Sequence, residues 1–132
     1  MAQPGPLCRR FARILGGTAE IVNGVCTVTR IRKINVTIQG RRSRSPLTLA
    51  ALFSFESRDS RGRALNLGET VILQREINPF ITELRKRGIE VTALHNHWLF
   101  DDPRIMYIHF QSIENSIVFA RKVAEAFKVL KG

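Results

Sequence analysis

Most of the features that identify a protein at sight are missing from this sequence. Its only cysteines, Cys8 and Cys26, are too few for a disulfide scaffold and stand outside any CxxC-type spacing; free, partly buried thiols are the expected state. Acidic residues are scarce, with 11 Asp plus Glu against 21 Lys plus Arg and a formal net charge of +10. No apolar run approaches the roughly 20 residues that span a bilayer as a helix. Arg9, Arg10 and Arg13 are not followed by the apolar stretch of a signal peptide, so a cytoplasmic location without membrane contact is expected. P-loop, GxGxxG and GxSxG patterns are absent, which removes the usual signatures of nucleotide binding and of the serine-hydrolase elbow. There is no internal repeat and no low-complexity tract.

The 132 residues, 44% hydrophobic and 24% charged, are enough for one domain with a buried core, residues 1–132, and exclude a disordered or collagen-like chain. Charge is unevenly spread: residues 1–66 carry 12 basic and 3 acidic side chains, whereas residues 67–132 carry 9 and 8. Arg30, Arg32, Lys33, Arg41, Arg42 and Arg44 hold much of that surplus. Together they would offer phosphates a basic face, making nucleic acid one candidate partner. The Arg41–Arg44 stretch has no interleaved aromatic residue on which a base could stack.

Period and punctuation predict an α+β domain with a largely antiparallel sheet and two to three packed helices. Residues 1–17 hold an N-terminal helix over Cys8–Leu15, stopped by Gly16-Gly17. Strands at Ala19–Val22 and Val25–Arg30 flank Asn23-Gly24, a type I′ turn pair, and Ile34, Val36 and Ile38 alternate with polar residues. Residues 40–46 have the composition of a mobile Arg-rich loop. Strands follow at Ala50–Glu56 and Glu69–Gln74. A helix then opens with Asn78 as N-cap and Pro79 at its first position and stops at Gly88. Ile89–Leu99 and Arg104–Gln111 read as a hairpin turning at Asp101–Pro103, and Asn115–Leu130 as the last helix.

All three histidines, His95, His97 and His109, fall in that hairpin. His95 and His97 are two apart, so on a strand they share a face. A turn that sets Phe100 opposite Arg104 sets His95 opposite His109 and His97 opposite Tyr107, one cluster on one face. Three imidazoles converging at cross-strand distance can hold a divalent transition metal, zinc first among them. They would leave a coordination position open for solvent or substrate. Glu76, at the strand-to-helix junction, is the carboxylate expected to act as ligand or general base, with Glu69 a weaker candidate. Arg104 could hold a small anionic ligand or substrate, and Tyr107 could donate to a metal-bound oxygen.

The segments Glu76-Ile77-Asn78-Pro79, Val91-Thr92-Ala93-Leu94-His95-Asn96-His97 and Pro103-Arg104-Ile105-Met106-Tyr107-Ile108-His109-Phe110 resemble the LppY/LpqO family, a bacterial family of unknown function. That resemblance implies a name and a motif but no reaction. Its members are often exported, whereas Cys8 here follows Pro6-Leu7 without the apolar run of a lipoprotein leader. More distantly, the His-x-His with a third histidine is similar in spacing to the zinc ligands of acetolactate decarboxylase and of PPC domains. That likeness implies His95, His97 and His109 as ligands, with Glu76 or Arg104 assisting a substrate carboxylate. The sequence thus points first to a metal-binding domain, either a small-ligand binder or a hydrolase or lyase acting on a small anion. A nucleic-acid-binding module on the basic half and a non-catalytic interaction domain or homodimer are its rivals.

Overall fold

A computed structural model describes residues 2–132. It has an α+β architecture, with helices packed on one face of a six-stranded sheet in which every neighbouring pair is antiparallel. Helix α1 (Pro6–Leu15) leads into β1 (Thr18–Val22) and β2 (Val25–Ile31). Between those strands Asn23 and Gly24 take φ 52° and 77°, as a type I′ turn requires. The short strands β3 (Val36–Ile38) and β4 (Arg41–Ser43) follow, then a one-turn helix α2 (Pro46–Leu49), β5 (Ala50–Glu56) and β6 (Arg63–Leu73). Helix α3 (Ile77–Lys86), β7 (Glu90–His95), β8 (Asp101–Asp102), β9 (Ile105–Asn115) and α4 (Ser116–Ala126) complete the chain. The main sheet runs β1-β2-β5-β6-β9-β7, and a small second sheet runs β4-β3-β8.

Alternation along the strands divides the interior into two cores. On the helix side Val28, Ala51, Phe53, Ile72, Ile108 and Phe110 meet Phe11 of α1, Phe80 of α3 and Phe119 and Val123 of α4. On the other side the small sheet covers only one end of the large one, packing Ile34, Val36 and Leu49 on Val71, Leu73, Ile105 and Tyr107. The remainder of that face carries no helix, and the functional candidates lie there. Among the described residues no helix is long and apolar enough to cross a membrane.

Five expectations change. Cys8 and Cys26 are joined in a disulfide between α1 and β2: spacing along the chain says nothing of the helix packing that brings them together. The Arg-rich stretch is a β-hairpin, Val36–Ile38 against Arg41–Ser43, turned at Gln39-Gly40 and followed by α2, whose Ser45 Oγ accepts the Leu47 amide. Backbone pairing overrides loop composition at those positions. Helix α3 starts at Ile77, before Asn78, and the strand expected at Glu69–Gln74 begins earlier, β6 running eleven residues from Arg63 to Leu73. The turn at Asp101–Pro103 does not close a tight hairpin, because Asp101 and Asp102 pair with Ile38 and Thr37 of β3 in the second sheet.

Candidate metal centre

The site grows out of β9. Its period of two sends Ile108 and Phe110 to the helix-side core and sets Tyr107 and His109 on the opposite face. Tyr107 is sealed under the small sheet, but His109 stands just past the seal and is 29% exposed. On one side β6 places Glu69 directly opposite His109; on the other, β7 places Ala93 opposite His109 and His95 opposite Tyr107. Pairing is therefore two residues away from the expected 95-to-109 register, since the chain needs residues 96–104 to reach β3 and return. A slip of two keeps every side chain on its face, which is why the cluster forms all the same.

His97 lies beyond β7 and folds back so that its ring stacks on that of Tyr107, centroids 3.9 Å apart and planes 12° from parallel. The His95 ring sits between, its centroid 4.8 Å from that of His97 and 4.8 Å from that of His109. One nitrogen from each of the three imidazoles lies within 4.8 Å of the others. Bonds of about 2.1 Å would allow two ligand nitrogens to stand at most about 4.2 Å apart. Both His95 and His97 are exposed, and small ring rotations close that difference. His109 Nε2 is buried and has no hydrogen-bond partner. A buried ring nitrogen left unpaired costs free energy unless something satisfies it, and the donor set of three imidazoles fits a divalent transition metal.

Electrostatics favour the ligating form. Burial first, then the neighbouring His95, push the His97 pKa below the ordinary histidine value; Glu69 pulls the other way and His109 adds to the lowering. Neutral imidazole is the form that binds metal. Glu69 Oε2 is 3.8 Å from His109 Nε2, too far for a hydrogen bond but near enough for the carboxylate to sit at the edge of a bound ion.

Of the other sequence candidates, Glu76 and Arg104 are engaged elsewhere, whereas Tyr107 is in the site with its hydroxyl turned to other partners. Glu76 is 4% exposed and forms a two-pronged ion pair with Arg32, its oxygens 2.8 Å from Nη1 and Nη2. It also accepts the amides of Leu73 and Lys131. This carboxylate ties β6, the segment after β2 and the chain end together, and its oxygens are all engaged. Glu69 rather than Glu76 is the carboxylate beside the histidines; the alternation of β6 and its pairing with β9 were the signal, and both needed the register. Arg104 Nη1 is 3.2 Å from Asp101 Oδ1 at the far end of the loop. The Tyr107 hydroxyl accepts Trp98 Nε1 at 3.0 Å and donates to the Thr48 carbonyl at 2.9 Å. Burial above all pushes its pKa up to about 12, so it is a fixed platform for His97 with its proton already placed. Trp98 escaped the sequence reading, since a single Trp in a loop carries no pattern.

Nor do the basic residues form one face. Arg32 is 1% exposed, its charge spent on Glu76. Arg30 is half-buried, its guanidinium 5.0 Å over the Phe127 ring and bonded to the Leu15 carbonyl. Lys33, Arg41, Arg42 and Arg44 remain exposed.

No curated protein and no solved structure matches this chain. One family model does match, over residues 9–129, a span that takes in the whole histidine cluster and every buried residue of the two cores except Cys8. The chain therefore belongs to the family described as Domain of Unknown Function (DUF1259).

Proposed function

We propose that this chain is a metal-binding domain in which His95, His97 and His109 hold one divalent transition metal ion, zinc being the first choice, with a coordination position open towards the part of their sheet face that the small sheet and α2 leave uncovered. The observation that carries the reading is the convergence of one nitrogen from each of the three imidazoles within 4.8 Å, in a cluster where His109 Nε2 is buried and unpartnered. The LppY/LpqO resemblance rests in part on the segments that carry His95, His97 and His109, and it implies no reaction. A bound metal would supply Lewis acidity or a hydroxide nucleophile at neutral pH. Around it, Tyr107 holds the His97 ring, the peptide pairing of β6 with β9 holds Glu69 beside His109, and Glu69 is positioned to accept a proton or take up a ligand position. Such a centre serves a small-ligand binder, or a hydrolase or lyase acting on a small anion.

Metal content by elemental mass spectrometry, on tag-free dialysed protein, tests the proposal. Close to one ion per chain is expected in the native protein and a near-complete loss in His95→Ala/His97→Ala. A native chain that takes up none of Zn, Ni, Co, Cu or Fe overturns it.

A further inference from the structure

Beside the histidines the uncovered sheet face is furrowed. A groove of about 300 Å³ starts at His109 and Glu69 and runs over Leu67 and Leu52 to Thr27 and Val25. Its floor follows from register. Leu52 stands opposite Glu69, which stands opposite His109, while Thr27 stands opposite Ser54, which stands opposite Leu67. Directly paired residues share a face, so these side chains form two parallel rows, one crossing β9, β6 and β5 and the other β6, β5 and β2. Three strand spacings give the groove a length of roughly 14 Å.

The chemistry changes along that length. At its start are the imidazoles and the carboxylate of Glu69. Further on come leucine side chains, Leu67 being 37% exposed, and then, towards the far end, the hydroxyls of Ser54 and Thr27. Glu69 is the groove's single carboxylate, and neither lysine nor arginine lines it. Cationic side chains that would neutralise a second anionic group are elsewhere: Arg75 and Arg104 border a separate hollow with Leu73 and Pro103.

Resting on the metal-centre reading, we propose that the ligand of this site is a small molecule with one anionic, metal-binding head and an uncharged, largely apolar body that lies along the groove from His109 towards Thr27. Three neutral imidazoles leave the full charge of a divalent ion to attract the head. Glu69 repels any further negative charge next to it, and Leu67 and Leu52 gain from covering by hydrocarbon. Polyanionic ligands such as nucleotides or sugar bisphosphates fit this groove poorly, because nothing along it offsets their second charge.

The test uses the zinc-loaded full chain and a series of straight-chain hydroxamates, from acetohydroxamate to octanohydroxamate, titrated by calorimetry. Hydroxamates bind metal through an anionic head, and only the tail varies. Affinity should rise about twofold per methylene, the gain for a half-covered CH₂, and octanohydroxamate should bind at least tenfold more tightly than acetohydroxamate. Leu67→Gln, which removes the apolar wall without adding charge beside Glu69, should flatten the series while leaving zinc content and acetohydroxamate affinity within twofold of the native chain. Should that variant fold poorly, Leu67→Ala decides, with a smaller loss confined to the long tails. Equal affinity across the series, or a tail dependence that Leu67 does not affect, overturns the proposal. Sedimentation showing a dimer that Leu67→Gln splits also overturns it, since a second copy would then occupy the groove. Zinc content measured on the same samples separates the two ideas. Bound zinc with no tail dependence rejects the groove alone, whereas absence of zinc uptake rejects the metal centre on which it rests.

Discussion

His97 lies flat against Tyr107, ring on ring at 3.9 Å, and the Tyr107 hydroxyl is in turn pinned between Trp98 and the Thr48 carbonyl. The one site histidine that no strand positions is thus held by a buried tyrosine whose hydroxyl is bonded on two sides. A partner that orients a metal ligand is typically worth 10–100-fold in metal affinity, and here the ring and the hydroxyl can be separated.

Tyr107→Phe keeps the stacking ring and removes the hydroxyl, leaving Trp98 Nε1 without its acceptor. Zinc affinity in a chelator competition should stay within about threefold of native, while urea unfolding should show a loss of about 1–2 kcal/mol. Tyr107→Leu removes the platform and should weaken zinc by about 10–100-fold. Equal zinc affinities for the two variants would show that stacking does not position His97.

How much of this was legible in the sequence depends on the range of the interaction. Asn23-Gly24, the alternation of Ile108 and Phe110 against Tyr107 and His109, and the helical spacing in α4 are local, and each forms where its pattern says. That the three histidines share a face was readable for the same reason, because parity survives a two-residue slip. The register itself was not readable, since it depends on Asp101 and Asp102 joining β3 about 65 residues earlier. Glu76 and Arg32, 44 residues apart, looked like an active-site carboxylate and a phosphate-binding cation. Nothing local shows that they neutralise each other in the interior, and that pairing removes one from the site and the other from the basic surface.

The Arg32–Glu76 pair makes stability depend on acid. Burial works against the Glu76 carboxylate, but the Arg32 guanidinium and the amides of Lys131 and Leu73 together outweigh it and hold its pKa below the ordinary value of 4.5. A carboxyl depressed in the folded state contributes stability that is complete above its unfolded pKa and is lost as pH falls through the folded one. Urea midpoints should therefore be level down to about pH 5 and drop steeply below about pH 4.5. Glu76→Gln should cost about 3–5 kcal/mol at pH 7, because it leaves Arg32 buried without a counter-charge, and its remaining stability should fall less steeply in acid. A variant as acid-sensitive as the native chain would assign the acid dependence to other carboxylates.

Cys8 and Cys26 close a loop with a sequence separation of 18 residues, for which the chain-entropy argument gives about 3 kcal/mol. Protein purified without reductant should show no thiol to an alkylating reagent until it is reduced. Thermal stability should then drop with dithiothreitol, and Cys8→Ala/Cys26→Ala should match the reduced native chain. Bridged cysteines are ordinary in oxidising compartments and rare in the reducing cytosol, so trapping thiols at the moment of cell lysis also reports where the protein folds. Two readily alkylated thiols without reduction would restore the free-thiol expectation.

With Arg32 in the interior and Arg30 stacked on Phe127, the exposed remainder of the basic cluster is Lys33, Arg41, Arg42 and Arg44. Arg41 and Arg42 are neighbours on β4, so they project to opposite sides of the hairpin and cannot both face one phosphate backbone. Three contacts at most would give a salt slope no steeper than about −2.7 on duplex DNA, a fall of about 40-fold in affinity between 50 and 200 mM salt. Fluorescence anisotropy with a labelled duplex should show weak binding at the lower salt and almost none at the higher. Arg41→Ser/Arg42→Ser/Arg44→Ser should abolish it without changing zinc content, and His95→Ala/His97→Ala should do the reverse. A slope steeper than −6 would demand more phosphate contacts than this surface offers. That result would mean the chain meets DNA as an oligomer or through another face, and it would put nucleic acid ahead of metal chemistry as its business.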